Sequence, residues 1–381
     1  MKIAISATNP CHLYDLAKAW HALDALGAYH SGYPGWRLRP PAGFPLRAHS
    51  WRTVVTYAAL RLSRALRPRD PALFRWQDDG FDRAVAGGLR ATDGEVVHAL
   101  PGQALHTFRA ARRLGVETCL NHASGPLARQ HAILAAVAAE TGGPPPIPPS
   151  AVELERRAAE TALADWHCVA SGVVRDQLIA DGVPADRIWL APYAADSACF
   201  YPPRSPRPRG RRIVFAGQIT ARKGLPVLFA ALGESAAADA TSLDCYGPSG
   251  IDAAPLIASA PHLARFHGAV SQATLGEVFR NADLLVLPSW EEAFGLVVPQ
   301  ALNCGLPVIV SDRVGAKDLI KPRVNGSVFP AGDAAALARE IAWWLANPDA
   351  FVHEVFDWER PARSLLNQMR DRATASPSRQ S

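Results

Sequence analysis

Short apolar runs alternate with longer amphipathic stretches along nearly the whole chain. Ile3-Ala4-Ile5, residues 96–100, residues 117–121 and Trp166-His167-Cys168-Val169-Ala170 read as strands. Helical spacing predicts helices over 14–26, 103–114 and 173–181. A second series of strands is expected at 212–217, 242–246, 265–267, 284–288, 308–311 and 327–329. Strand and helix in steady alternation predict an α/β protein with parallel, doubly wound sheets.

The two series are separated by Phe200-Tyr201-Pro202-Pro203-Arg204-Ser205-Pro206-Arg207-Pro208-Arg209-Gly210, whose prolines and polar residues mark a linker. The expected organisation is a first domain over 1–203 and a second over 208–352. A helix over 353–372 is expected to pack back on the first domain, and the Ser/Pro/Arg-rich tail 373–381 to be disordered. A second break, Gly142-Gly143-Pro144-Pro145-Pro146-Ile147-Pro148-Pro149, reads as a loop over the cleft or an exposed turn.

The most informative stretch is Val286-Leu287-Pro288-Ser289-Trp290-Glu291-Glu292-Ala293-Phe294-Gly295-Leu296, which runs on through a helix to a further strand. Strand, acidic loop and helix set a carboxylate and a helix N-terminus at the carboxyl end of a parallel strand, where open α/β sheets bind ligands. The positive helix end suits a nucleotide diphosphate and the carboxylate suits sugar hydroxyls. That pairing points to a nucleotide-sugar site.

Composition narrows the setting. A chain of 381 residues exceeds one ordinary core, which supports two domains. No apolar run approaches the ~20 residues that span a bilayer, and Lys2-Ile3-Ala4-Ile5-Ser6 is too short for a signal-peptide core. A cytoplasmic location is expected. The six cysteines stand singly, without a Cys-x-x-Cys pair, and read as buried reduced thiols rather than disulfides, zinc ligands or nucleophiles.

The net charge of +5 is unevenly spread: residues 37–69 hold eight arginines and no acid. Residues 51–66 place Val54, Val55, Ala58, Leu62, Ala65 and Leu66 at helical spacing, with Arg52, Arg61, Arg64 and Arg67 around them. Such a helix can lie on an anionic membrane surface, or pack its apolar stripe on its own domain, the commoner outcome. Nucleic-acid binding is not expected, because the arginine blocks lack interleaved aromatics and any known motif. No Gly-x-Gly-x-x-Gly follows either first strand, which argues against a dinucleotide oxidoreductase.

Further motifs occur in order. Ala164-Asp165-Trp166-His167-Cys168-Val169-Ala170-Ser171 is followed by Gly182-Val183-Pro184, by Leu190-Ala191-Pro192-Tyr193 and by Phe200-Tyr201-Pro202. Phe215-Ala216-Gly217-Gln218-Ile219-Thr220-Ala221-Arg222-Lys223-Gly224 forms a glycine-bounded basic turn, and Tyr246-Gly247-Pro248 a further glycine loop. With the acidic loop, these motifs resemble the GT-B glycosyltransferases, specifically the large retaining family 4. The resemblance covers essentially the whole chain and is strongest from about 150 to 330. It implies two Rossmann-like domains facing a cleft.

By that resemblance Glu292 holds the donor sugar, while Arg222 and Lys223 neutralise the diphosphate leaving group. Gly217, Gln218, Gly247, Ala293, Phe294, Gly295 and Leu296 line the donor. His122 faces the cleft as a further catalytic residue, and His12 and Asn9 lie on the acceptor side. Two departures stand out: Gln218 replaces the usual arginine, and Gln300 replaces the second carboxylate of the family's Glu-x7-Glu pair. Glutamine can still bond ribose hydroxyls, without charge assistance. Glu291 is expected to be solvated or structural.

The implied activity is metal-independent, retaining transfer of a sugar from a UDP or GDP sugar to a hydroxyl acceptor, with no resident cofactor. No Asp-x-Asp pair occurs, and the scattered His, Asp and Glu show no metal-ligand spacing. The expected partners are a nucleotide sugar, a glycan or lipid-linked acceptor, and an anionic membrane surface met from the cytoplasmic side. The alternative is a GT-B-fold binding protein with weakened catalysis, for which Gln218 and Gln300 are the grounds.

Overall fold

The computed structural model describes residues 1–62, 71–205, 210–234 and 242–375. Thirteen strands form two sheets among these residues. The first sheet contains β1 (Ile3–Ala7), β2 (Leu26–Ser31), β3 (Leu46–Ala48), β4 (Val96–Ala99), β5 (Glu117–His122), β6 (Trp166–Val169) and β7 (Ile188–Leu190), in the order β3-β2-β1-β4-β5-β6-β7. The second contains β8 (Arg212–Ala216), β9 (Ser242–Tyr246), β10 (Ala264–Gly268), β11 (Leu284–Leu287), β12 (Val308–Ser311) and β13 (Gly326–Phe329), in the order β10-β9-β8-β11-β12-β13. Every pairing is parallel. In both sheets the order reverses beside the first strand, so the switch points lie at β1/β4 and β8/β11.

Strands β8, β11 and β12 are buried almost throughout, as apolar strands covered by helices on both faces must be. Three strands escape the sequence pattern. β2 carries Gly27, His30 and Ser31, β3 has three residues, and β7 is equally short. The helix expected to reach Leu26 spans His12–Ala22 instead. Asp24 follows it with a φ of +52°, a left-handed turn that an aspartate tolerates, and Leu26 then opens β2.

The cores exchange partners at the domain junction. Trp189 and Ala191 pack in the first domain, whereas Tyr193, Ala195 and Phe200 join the second core. The packing boundary therefore precedes the expected 203. The chain returns through Phe356, whose carbonyl accepts from Ala195 N at 2.9 Å. It ends in the helix Glu359–Ala375, whose Ala362, Leu365, Leu366 and Met369 are buried against Trp20 and its neighbours in the first core. Helix extends through Ala375, so residues 373–375 are not the disordered tail expected there; residues 376–381 lie outside the described set, as do Arg64, Ala65, Leu66 and Arg67.

Candidate functional site

The loops after β8, β9 and β11 converge at the carboxyl edge of the second sheet. After β8, Gly217 N donates to Tyr246 O at 2.9 Å, drawing the first loop against the second. Gly247 has a φ of +147°, and a Cβ there would stand 1.9 Å from Gly217 O, so only glycine fits. Asp252 ties the two loops further, accepting from Thr220 Oγ1 at 2.9 Å and from Ala221 N at 2.8 Å. Gly224, with a φ of +77°, presses on Pro288, where a Cβ would lie 1.9 Å from the carbonyl oxygen. Arg222 O accepts from Trp290 N at 2.9 Å, which fixes the basic turn to the acidic loop.

The charges of those two loops meet. Lys223, only 8% exposed, forms an ion pair with Glu292, and Arg222 bonds Glu291 Oε2 at 3.0 Å and Glu291 O at 3.0 Å. Glu291, expected to be solvated or structural, is thus the partner that orients Arg222. Two cations and two carboxylates share a small, partly desolvated volume, where removing any one leaves its partner uncompensated. Gln300 lies on the helix Val297–Asn303, is 8% exposed, and makes no side-chain hydrogen bond among the described residues. Gln218 and Arg222 line a cavity of about 450 Å³ whose opposite wall is Leu134, Val137 and the segment Gly143 to Ile147 of the first domain. The proline-rich break is therefore a wall facing the basic turn and the loop after β9.

The first domain also grips the acidic loop directly. Ser171 caps the helix Gly172–Ala180, accepting from Val174 N at 3.3 Å, and its Oγ donates to Ala293 O at 2.7 Å. Gly172 N donates to Asp318 Oδ2 at 2.8 Å, placing a carboxylate at a helix N-terminus. Phe294 packs on Tyr193 with ring centroids 4.9 Å apart. Ala293 is thus held by the first domain, and Phe294 on one side by the junction segment that carries Tyr193. Ala316 N, which donates to Phe294 O at 2.7 Å, holds the other.

The predicted first-domain residues are placed differently from one another. His12 is buried, stacked on Tyr193 at 4.2 Å, with Nε2 2.8 Å from Asn121 Oδ1 and 3.1 Å from Tyr193 Oη. Burial drives its pKa down to about 4, so it is neutral and sits beneath the interdomain contact instead of open to an acceptor. His122 is 5% exposed, lies 3.0 Å from His167 Nδ1, and has its pKa lowered to about 3, again chiefly by burial. It lines a cavity of about 440 Å³ with Arg157, Thr161 and Ser124, a space whose lining residues all belong to the first domain. The structure does not bring His122 into the cavity shared by Gln218 and Arg222. Asn9 is half-buried, and its Oδ1 is enclosed without a hydrogen-bond partner among the described residues.

Sequence reasoning passed over Asp78. Burial raises its pKa to about 6, and the nearby Thr8, Arg156 and Arg157 pull against that shift. Thr8 in turn bonds Gln103 Oε1 through its backbone N at 2.6 Å and its hydroxyl at 2.7 Å. The thiols offer no nucleophile: all six are free, and burial lifts Cys168 and Cys245 to about 12.

Comparison with known proteins decides the family. Residues 210–347 match the family described as Glycosyl transferases group 1. The chain is 31% identical to a GDP-mannose-dependent alpha-mannosyltransferase of Mycobacterium tuberculosis, over 74% of this chain and 70% of that one. The chain belongs to the group 1 glycosyltransferases. Other relatives are matched over less of their length: a D-inositol 3-phosphate glycosyltransferase of Salinispora tropica is 30% identical across 42% of this chain and 38% of its own. The fold of this glycosyltransferase is GT-B. Sucrose-phosphate synthase from Thermosynechococcus elongatus superposes with a TM-score of 0.66 at 19% identity, over 99% of this chain and 100% of that one. Anabaena HepE in complex with UDP gives 0.63 at 13% identity, over 97% and 100%.

In this glycosyltransferase the matched region contains the two glycine loops, the basic turn and the acidic loop. Ser171, Tyr193 and Asp78 lie outside it.

Proposed function

We propose that the chain is a retaining glycosyltransferase of family 4 that moves a sugar from a UDP or GDP sugar to a hydroxyl acceptor without a metal ion. The observation that carries the reading is the cross-pairing of Lys223 with Glu292 and Arg222 with Glu291 on two mutually braced loops. A donor diphosphate entering there takes over Lys223 and Arg222, and frees the Glu292 carboxylate to accept from sugar hydroxyls. Fixed cations beside the scissile bond act on the charge that gathers on the leaving diphosphate. Gln300, unpartnered and partly accessible, faces the ribose. The relative named for GDP-mannose use and the fold neighbour in complex with UDP support a nucleotide-sugar donor.

In the proposed reaction the glycosidic C–O bond breaks and the acceptor oxygen bonds to the same face of the sugar. The acceptor proton passes to the departing phosphate oxygen, so no enzyme nucleophile is required. Asn9 and Asp78 stand on the acceptor side, where an enclosed amide oxygen and a carboxylate of raised pKa can orient a hydroxyl. Closing the proline-rich wall over the donor excludes water. The acceptor is a glycan or a lipid-linked one, met by an enzyme peripheral to the cytoplasmic face of a membrane.

A panel of UDP and GDP sugars, scored for nucleotide release with and without acceptor lipid extract, tests the reading. Release from one donor, lost in Lys223→Ala, supports it; activity that survives both Lys223→Ala and Glu292→Ala contradicts it. The rival, a binding protein with weakened catalysis, is favoured by the uncharged Gln218 and Gln300, and predicts nucleotide binding without release.

A further inference from the structure

The helix Trp51–Leu62 is turned inside out. Its buried face carries hydroxyls, with Thr53 at 2% and Thr56 at 0% exposure. Its outer face carries Trp51, Val54, Val55 and Ala58, one stripe at helical spacing, and the two valines are about half exposed at 49% and 47%. A helix of a water-soluble domain ordinarily buries that stripe, and the commoner expectation from sequence was that this one would. Beside the stripe runs a groove of about 340 Å³, walled by Trp36 and Tyr57 and rimmed by Arg37 and Arg61. Trp36 is 75% exposed with the Arg37 guanidinium 5.0 Å from its ring.

The four arginines named from sequence do not act together. Arg52 is turned aside, stacked over Trp51 and Trp76 and donating to Trp76 O at 3.0 Å. Arg64 and Arg67 lie outside the described residues. Arg37, Arg39 and Arg61 are the described cations of this face without an ion pair among the described residues. Residues 37–62 contain no Asp or Glu, so the face offers positive charge and apolar surface together. A second copy of a chain with net charge +5 would bring like charge to it. Exposed tryptophan, an apolar helical stripe and unpaired arginine are the groups that settle at the boundary between lipid headgroups and acyl chains.

We propose that this face docks on an anionic lipid bilayer. Trp36, Trp51, Val54 and Val55 enter the headgroup boundary, and Arg37 and Arg61 meet lipid phosphates. The assignment deepens the functional reading above by placing its membrane contact. Its test involves no turnover, so either can fail while the other stands.

The experiment is co-sedimentation of the full chain with vesicles of phosphatidylcholine alone and of an equal mixture with phosphatidylglycerol. The expected result is binding to the mixed vesicles, weak binding to phosphatidylcholine, and loss with added salt. Arg37→Glu with Arg61→Glu lowers partitioning at least tenfold, since each arginine near such a surface is worth about fivefold. Val54→Asp with Val55→Asp lowers it comparably, and both pairs keep the wild-type unfolding midpoint because the residues are exposed. Partitioning unchanged in both variants, or absent from wild type, overturns the proposal. So does a concentration-dependent dimer in sedimentation velocity that Val54→Asp dissolves.

Discussion

The two halves of the molecule share one sheet order and differ in how complete they are. In the second domain the charged groups of the site loops pair with one another, Lys223 with Glu292 and Arg222 with Glu291, and Asp252 Oδ2 takes two donors of the basic turn, while Asp252 Oδ1, Ser289 Oγ and Trp290 Nε1 are enclosed without partners among the described residues. In the first domain buried polar atoms such as Ser6 Oγ, Asn9 Oδ1, Thr56 Oγ1 and both amide atoms of Gln77 lack partners among the described residues, and one helix shows its apolar face outward. The contrast is between a second domain whose site charges are paired in advance and a first domain that turns an apolar helical face outward; under the proposed function these are the donor half and the acceptor half.

The largest expected effect breaks the donor half. Lys223→Ala lowers the rate of transfer by about 10²–10³-fold, as loss of one preorganised charge at a developing anion does. Glu292→Gln, which also strips Lys223 of its partner, falls in the same range. Steady-state rates with the identified donor check both. A loss under threefold in each would mean the two loops are structural.

The contact between the halves comes next. Ser171→Ala removes one hydrogen bond to Ala293 O, worth about 1 kcal/mol, and the acidic loop loses its first-domain hold. Transfer should fall about fivefold to tenfold in kcat with donor KM little changed, and Ser171→Thr should restore it. Equal loss in Ser171→Thr, or a pure change in stability, would make the contact a cap of its helix and nothing more.

Asp78 tests the acceptor half through pH. Its folded-state pKa is raised to about 6, so ionised Asp78 opposes folding at neutral pH, and the opposition fades as the pH falls from about 6 towards the ordinary carboxylate value. Asp78→Asn should therefore be more stable than wild type at pH 7, by about 1–2 kcal/mol after allowance for partial solvation, with the gap closing below about pH 4. Denaturant unfolding at the two pH values measures it. A gap that widens on acidification contradicts the assignment.

The smallest effect probes the nucleotide end. Gln300→Glu restores a charge-assisted bond to ribose and should lower donor KM about threefold with kcat unchanged. No change would place Gln300 away from the donor.

What the sequence made legible follows this same division. The acidic loop, the basic turn and the glycine loops are contiguous, and each carries its own chemistry, so Glu292, Lys223 and Gly247 could be picked from the chain alone. The pairing of Arg222 with Glu291 joins residues far apart in sequence, and no local pattern announces it. The reach of Ser171 to Ala293 depends on how the domains sit together. β2 was hidden because Gly27, His30 and Ser31 break the apolar run, and the short β3 and β7 leave too little pattern to read. The helix Trp51–Leu62 was recognised, but its orientation was not: an apolar stripe says that a helix has two faces, not which one meets the protein. His12 and His122 stood at the right strand ends, yet only packing shows that both rings are enclosed and neutral.

The most direct test of a donor half assembled in advance is calorimetric titration of the full chain with UDP and with GDP, beside Lys223→Ala. The account predicts saturable binding of one nucleotide by wild type, without acceptor or membrane, and its loss by at least tenfold in the variant. Binding of neither nucleotide, or equal binding by wild type and Lys223→Ala, would contradict it.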